Sequence, residues 1–231
     1  MNNLIIVPTS DGSNTIYNPQ IGENYHSRHG ALQESIHVFL NFGLRYFLEN
    51  KQANNVSILE VGFGTGLNFL LSANLCSTQN IQLKYTGIEA YPLDNDLINQ
   101  TLYNTYIAEE LWSGFITAYP LSFNKYVEIN SNCKLKIAHT KLLDYQTSEQ
   151  FDIIYFDAFA SVHQPEMWDE EALKHVCSFL KTGGVFVTYA ITGHLKRTMK
   201  ALGFAVEKIQ GAKGKREMFR GTKLTSGLPV L

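Results

Sequence analysis

One stretch constrains this chain more than any other: Ser57-Ile58-Leu59-Glu60-Val61-Gly62-Phe63-Gly64-Thr65-Gly66-Leu67-Asn68. A short apolar run leads into three glycines spaced one residue apart, and a helix-forming segment follows. Ile58, Leu59 and Val61 belong in a buried strand. The glycines permit a tight turn and let backbone N–H groups approach a ligand closely. Glu60 falls where the strand ends, at the carboxyl edge of a sheet, where α/β folds of this kind bind ligands.

A dinucleotide-binding turn has the spacing G-x-G-x-x-G. Here it is E-x-G-x-G-x-G, which resembles the first motif of class I S-adenosylmethionine methyltransferases. In those enzymes the turn holds the amino-acid part of the cofactor, which makes Glu60, Gly62, Gly64 and Gly66 the expected cofactor residues.

The remaining chain reads as alternating strands and helices. Strands are expected at Leu4–Val7, Thr15–Tyr17, Gln82–Glu89, Leu135–His139, Phe151–Asp157, Val185–Tyr189, Phe204–Ile209 and Glu217–Thr222. Helices are expected from Ala31 to Leu48, Leu67 to Cys76, Leu93 to Glu109, Glu166 to Leu180 and Gly193 to Leu202. Such alternation implies a parallel sheet, and the last two strands imply a closing antiparallel hairpin. With 231 residues, 45% of them hydrophobic, the chain can bury the core of one α/β domain. The expected division is a β appendage and lead-in over 1–30 and a Rossmann-like domain over 31–231.

Glu89 lies about 20 positions past the glycine turn, where an acid accepts hydrogen bonds from ribose hydroxyls. Asp157 is the last residue of the expected strand Phe151–Asp157, also at the ligand edge. Residues 110–133 hold Trp112, Phe115, Tyr119, Pro120, Phe123 and Tyr126. That segment either covers a ligand or stack a base, or packs under a long loop. From His194 onward there are nine basic and two acidic residues, against ten basic and nineteen acidic before it. A local basic face on an acidic body follows from that asymmetry. Cys76, Cys133 and Cys177 form no C-x-x-C pair and read as reduced, buried thiols. No signal peptide or membrane span is legible, so a cytoplasmic, membrane-free protein is expected. No metal-ligand pattern is evident.

Several further segments narrow the resemblance. Tyr25-His26-Ser27-Arg28-His29-Gly30-Ala31-Leu32-Gln33-Glu34-Ser35, Glu60–Gly66, Asp157-Ala158-Phe159-Ala160, Pro165-Glu166-Met167-Trp168 and Lys215-Arg216-Glu217-Met218 together resemble the methyltransferase portion of the MnmC family. That family makes 5-methylaminomethyl-2-thiouridine in tRNA. The resemblance implies methyl transfer from S-adenosylmethionine to the primary amine of a 5-aminomethyl-(2-thio)uridine at the wobble position. It implies tRNA as partner, Asp157 beside the reacting amine and Asp144 at the adenine amino group. It also implies Phe159 shaping a pocket for a flipped base, and Lys196, Arg197, Lys213, Lys215 and Arg216 meeting phosphates. Tyr25, Ser27 and Arg28 either close over the cofactor or meet RNA.

Bifunctional family members carry an FAD-dependent oxidoreductase domain. This chain is expected to be the stand-alone methyltransferase form, working beside a separate oxidoreductase or upstream modification enzymes. Ser161-Val162-His163-Gln164 stand where the family pattern has proline and lysine. Competing readings are an aminopropyltransferase, a small-amine methyltransferase and a non-catalytic S-adenosylmethionine-binding module. Aminopropyl transfer is disfavoured because no second acid follows Asp157 in Ala158-Phe159-Ala160.

Overall fold

A computed structural model describes residues 4–225. Eleven strands among these residues form two sheets. The small antiparallel sheet joins β1 (Ile5–Pro8), β2 (Asn14–Asn18) and β3 (Glu23–Asn24) in that order. The large sheet contains β4 (Asn55–Val61), β5 (Gln82–Glu89), β6 (Val127–Asn130), β7 (Cys133–His139), β8 (Phe151–Phe156), β9 (Leu180–Thr188), β10 (Phe204–Gln210) and β11 (Glu217–Lys223). Its spatial order is β10-β11-β9-β8-β4-β5-β7-β6.

β4 pairs in parallel with both β5 and β8. β5 pairs in parallel with β7, and β8 with β9. The chain thus builds outward from β4 to β7, then returns to the other side of β4 with β8. This reversal of direction opens a crevice beyond the carboxyl ends of β4 and β8. The expected hairpin closes the sheet: β11 slots antiparallel between β9 and β10. Arg220 pins it, with a two-pronged bond to Glu207 and its guanidinium 3.4 Å from the centre of the Tyr46 ring.

Strand alternation decides what faces where. Val56 and Ile58 of β4 and Ile153 and Tyr155 of β8 join one core layer; Leu59, Val61, Ile154 and Phe156 join the other, as does Phe151 across an irregularity in β8. By the same period, Glu60 and Asp157 point to the Ile58 and Tyr155 side. Helix α1 (Ala31–Ser35), a π-helical stretch (Ile36–Arg45), α2 (Tyr46–Lys51) and α3 (Leu67–Thr78) cover that side. The expected helix over 31–48 is therefore present but wound wider in its middle. Gly43 makes the close approach possible there, since a Cβ would lie 2.8 Å from the Tyr155 ring.

Two helix expectations need correction. The proposed Leu93–Glu109 helix is broken into α4 (Asn95–Asn99) and a 3-10 turn (Tyr103–Tyr106). Thr101 turns its hydroxyl onto the Ile98 carbonyl at 2.6 Å, and Leu102 takes a left-handed φ of 60°, which stops the helix. The proposed Glu166–Leu180 helix starts later, as α6 (Glu170–Ser178), because Asp169 caps it by accepting from the Ala172 N–H at 2.8 Å.

The aromatic segment 110–133 is core. It forms α5 (Glu109–Ala118), a 3-10 turn and the edge strand β6. Phe115 and Tyr119 are buried against Phe63 of the glycine turn, with Phe63 and Tyr119 stacked at 6.1 Å. The insert buttresses the turn from behind and covers no ligand.

The small sheet is tied to α1 by a cap supplied from a distant segment in place of the residue next to the helix. Ser13 Oγ accepts from the N–H groups of Ala31 and Leu32, each at 3.1 Å, and Asp11 Oδ2 accepts from Gln33 N–H at 2.9 Å. The donors left free at a helix start are thus satisfied by residues some twenty positions upstream. Asp11→Ala is expected to destabilise the fold by about 0.5–2 kcal/mol, the range of a lost helix cap, read as a lower urea midpoint with unchanged m-value.

Candidate active site

The carboxyl ends of β4, β5, β7 and β8 open into one cleft of about 2100 Å³. Its floor is the glycine turn, one wall is the segment from Asn18 to Arg28, and the rim holds Tyr91, Asp94 and Asp144.

The centre of the floor is a backbone contact. Asp157 N–H donates to the Val61 carbonyl at 2.9 Å, and a Cβ on Gly62 would lie 2.5 Å from the Asp157 carbonyl oxygen. Gly62, at φ +82°, is therefore needed for both its conformation and the close approach. At Gly64, φ +52°, a Cβ would press on the Tyr25 ring at 3.1 Å, so the turn also leaves room for the overhanging wall.

A carboxylate network lies around this contact. Asn68, in the first turn of α3, donates from Nδ2 to Glu60 Oε1 and to Asp157 Oδ2, both at 2.8 Å. Glu60 is fully buried, and its other oxygen accepts from the Tyr85 hydroxyl at 2.9 Å. Burial, then the neighbouring Asp157 charge, holds the Glu60 carboxyl well above the usual carboxylate range, against the opposing bonds from Asn68 and Tyr85. Burial first, then the Glu34 charge, pushes Asp157 up to about 8, with the Asn68 bond opposing. Glu60 thus lies beneath the cleft instead of lining it, and it acts on the site through Asn68. Sequence reading passed over Asn68; the available signal was a lone amide one residue into an otherwise apolar helix start.

Glu89 lines the cleft as expected, with Oε2 accepting from Gly64 N–H at 2.9 Å and Oε1 from Tyr91 N–H at 2.9 Å. It is tied to the glycine turn. Asp144 is exposed on the rim beyond β7. Gly66 starts α3 and packs on Phe63 and Phe115, away from the cleft lining.

Phe159 lines the cleft, with its ring edge-to-face to Tyr25 at 5.2 Å. Its N–H donates to Gln164 Oε1 at 3.1 Å and its carbonyl accepts from Trp168 Nε1 at 2.8 Å, so Gln164 and Trp168 brace the loop after β8. Burial and Glu89 push the Tyr25 hydroxyl up to about 12.

The basic residues separate. Arg28 and Lys215 line the cleft; Lys196, Arg197, Lys213 and Arg216 do not. Lys208 pairs with Glu217, Arg220 with Glu207, and Lys223 donates to the carbonyls of Cys177 and Leu180, so the C-terminal basic face is smaller than its charge count. Lys215 Nζ is 2.9 Å from Glu34 Oε1. Glu34 and Glu23 both line the cleft, so further acids do stand near Asp157, supplied by the N-terminal segment and not by residues 158–160.

His26 joins the small sheet to the glycine turn. Its Nδ1 is 3.0 Å from Thr15 Oγ1 and its Nε2 is 3.5 Å from Thr65 Oγ1. Among the described residues no group of His, Cys, Asp and Glu could hold a metal ion, and no helix is long and apolar enough to cross a membrane. All three cysteines are free and buried.

The donor set fits S-adenosylmethionine. The glycine cradle faces an open cleft, acids surround it to receive cationic groups, and the buried Asn68 Oδ1 has no partner among the described residues.

Comparisons with known proteins agree with this fold. A family profile described as S-adenosyl-L-methionine-dependent methyltransferase matches residues 106–224. The bifunctional tRNA 5-methylaminomethyl-2-thiouridine biosynthesis protein MnmC of Methylobacillus flagellatus is 28% identical over 231 residues, covering 93% of this chain and 35% of that protein. Its counterpart from Pseudomonas syringae pv. syringae is 30% identical over 215 residues, covering 86% of this chain and 31% of that protein. The chain thus spans about a third of these relatives' length. The crystal structure of MNMC2 from Aquifex aeolicus superposes with a TM-score of 0.75 at 20% identity, over 100% of this chain and 73% of that one.

Burial depresses the His26 imidazole to about 4, against the pull of Glu34 and Asp11. The unfolded chain takes up a proton near 6.5 that the folded one refuses until about 4, so His26 makes stability fall as pH drops between those values. The urea midpoint of His26→Gln is expected to lose part of that pH slope relative to the wild type.

Proposed function

The chain belongs to the S-adenosyl-L-methionine-dependent methyltransferase family, and we propose that it methylates the primary amine of 5-aminomethyl-(2-thio)uridine at the wobble position of tRNA. The product is the 5-methylaminomethyl nucleoside. The observation that carries this reading is the half-buried Asp157, with its carboxyl pushed up to about 8, at the mouth of the glycine turn. The printed names of the MnmC relatives supply the substrate.

S-adenosylmethionine, when bound, supplies an electrophilic methyl group on a sulfonium. On this chain, the turn from Gly62 to Thr65 would hold its amino-acid part, Glu89 its ribose and Asp144 its adenine edge. An ammonium has no lone pair, so the substrate must lose a proton before it can react. Asp157 accepts it: an N–H bond breaks, an O–H bond forms on the carboxylate, and the amine keeps the electron pair. An ordinary carboxylate is too weak a base beside an alkylammonium. Burial and Glu34 narrow that gap, and the Asn68 bond fixes the orientation of the acceptor oxygen.

Phe159 and Tyr25 form an aromatic corner against which a base drawn out of the anticodon stack can rest. Arg28 lies on the cleft, and the exposed Lys213 and Arg216 stand on the hairpin loop beside it, since Gly214 touches the His29 ring. Phosphates that flank the base would meet these three. Lys196 and Arg197, on α7 (Gly193–Ala201), extend the same role further from the cleft. The cytoplasm, a tRNA partner and a one-piece catalytic unit over 31–231 with its appendage over 1–30 belong to the same reading.

The test is incubation with S-adenosylmethionine and tRNA carrying 5-aminomethyl-2-thiouridine, followed by nucleoside mass spectrometry. A gain of one methyl is expected on that nucleoside; binding of S-adenosylmethionine without any gain would leave the module reading. The kcat/KM is expected to rise with pH toward a plateau above about 8, because Asp157 works ionised. Asp157→Asn is expected to lower it by about 100-fold or more, with S-adenosylmethionine affinity held within several-fold by calorimetry. Reversing charge at Lys213 and Arg216 together is expected to weaken tRNA binding, with the loss shrinking at high salt.

A further inference from the structure

Lys215 stands apart from the basic residues beside it. Its loop between β10 and β11 is fixed by the backbone: Lys215 N–H donates to the Ala212 carbonyl at 2.8 Å, and Gly211 N–H to the Arg216 carbonyl at 3.1 Å. Gly211 allows the turn, because a Cβ there would lie 2.5 Å from the Lys215 carbonyl oxygen. Lys213 and Arg216 point to solvent, while Lys215 turns inward to line the cleft.

Two groups hold its ammonium. Glu34 Oε1 is 2.9 Å away, and the centre of the Tyr189 ring is 3.6 Å away. Neither holder is free to drift. Glu34 is buried, and its second oxygen accepts from Ser27 N–H at 2.8 Å. The Tyr189 hydroxyl donates to the carbonyl of Ala158, the residue after Asp157, at 2.9 Å. A lysine reaching out to phosphates needs a free, solvated head. This one is clamped on a carboxylate and an aromatic face, one hydrogen bond removed from the backbone that carries Asp157.

Charges around it are otherwise negative. Glu34 faces Lys215 from α1, Asp157 from the end of β8, and Glu23 from β3 across Tyr189; Glu60 lies below, behind Asn68. The imidazoles nearby are His29, against Gly214, and His163, 3.7 Å from Glu23. Among the described residues that line the cleft, the lysines and arginines are Arg28, Lys141 and Lys215, and of these Arg28 and Lys141 are exposed.

We infer that Lys215 is a positioning residue of the methyl-transfer site, a fixed cation that Glu34 and Tyr189 hold beside Asp157 to keep that carboxyl ionised and to disfavour the charged form of the incoming amine. The inference rests on the proposed amine-methylating reading. A fixed positive charge lowers the proton affinity of both groups around it. It therefore sets the pH at which the acceptor is ready and the amine carries its lone pair. Its action on Asp157 opposes that of burial and of Glu34.

The experiment compares wild type with Lys215→Met, which keeps the stem and removes the charge, and Lys215→Arg, which keeps the charge. The first readout needs no substrate: the Asp157 carboxyl is titrated by 13C NMR in aspartate-labelled protein, with Asp157→Asn assigning the signal. Its midpoint is expected to rise by about one unit in Lys215→Met and to stay near wild type in Lys215→Arg, a unit being a tenfold change in proton affinity. An unmoved midpoint overturns the inference, whatever the substrate proves to be. The second readout is kcat/KM against pH with aminomethyl-bearing tRNA. Lys215→Met is expected to lose about tenfold near pH 7 and to recover most of it at pH 9. An equal loss at every pH, with a salt slope reduced by about one, would make Lys215 a phosphate contact instead. An equal loss accompanied by a lower melting temperature and weaker S-adenosylmethionine binding would make it a structural tie; either outcome overturns the inference. Failure of the wild type to methylate the tRNA, with the NMR shift present, would count against the substrate reading and leave the electrostatic role standing.

Discussion

The structure depends on one close backbone contact, between the turn after β4 and the residue that ends β8. Gly62 lies against the Asp157 carbonyl at a distance no Cβ could share, and Asp157 N–H bonds back to Val61. Because β4 and β8 are adjacent parallel strands, this contact extends their ladder by one step past the sheet edge. It brings the cofactor turn and the candidate proton acceptor into one rigid unit. The order of strands makes such a meeting possible, since the chain reverses direction across β4 and leaves a crevice there.

That unit is electrostatically uncomfortable. Glu60 and Asp157 project to the same side of the sheet and share one amide group of Asn68. Burial and the Asp157 charge raise the proton affinity of Glu60, while burial and Glu34 raise that of Asp157. The discomfort is suited to chemistry on an amine, since a carboxyl that holds a proton near neutrality can also take one from an ammonium. The surroundings are built to contain it. Tyr85 and Asn68 both bond Glu60, and the charge of Lys215 opposes the rise at Asp157. Each of these groups comes from a different element, so the site is assembled from the whole sheet and from the segment that overhangs it.

Much of the frame was legible. The alternation of apolar runs with glycine turns located β5 to the residue, and the hairpin at the end was evident from two strands around a glycine- and lysine-rich loop. The glycine spacing marked the turn at the cleft floor, and the strand ends marked Glu89 and Asp157, which line the cleft. Illegible were features that depend on contacts between distant residues. The Leu93–Glu109 pattern read as one helix because nothing local announced that Leu102 would turn left-handed. The aromatic run from Trp112 to Tyr126 looked available to a ligand because its partners, Phe63 and Phe69, lie some fifty positions earlier. The charge count near the C-terminus suggested a local basic face of nine residues, yet several of its members are bound to acids or carbonyls.

By itself the sequence determined most of the alternation of strands and helices, the glycine turn and the acids at the strand ends, since these follow from local periodicity and from glycine's access to left-handed backbone. Tertiary structure alone decided that Glu60 lies below the cleft, that Asn68 joins it to Asp157, that Glu23 and Glu34 add acids to the wall, and that Lys215 turns inward while Lys213 and Arg216 do not. The reason is physical. Local preference depends on neighbours within a turn or two, whereas burial and electrostatic environment depend on groups that meet only when strands far apart in the chain lie side by side.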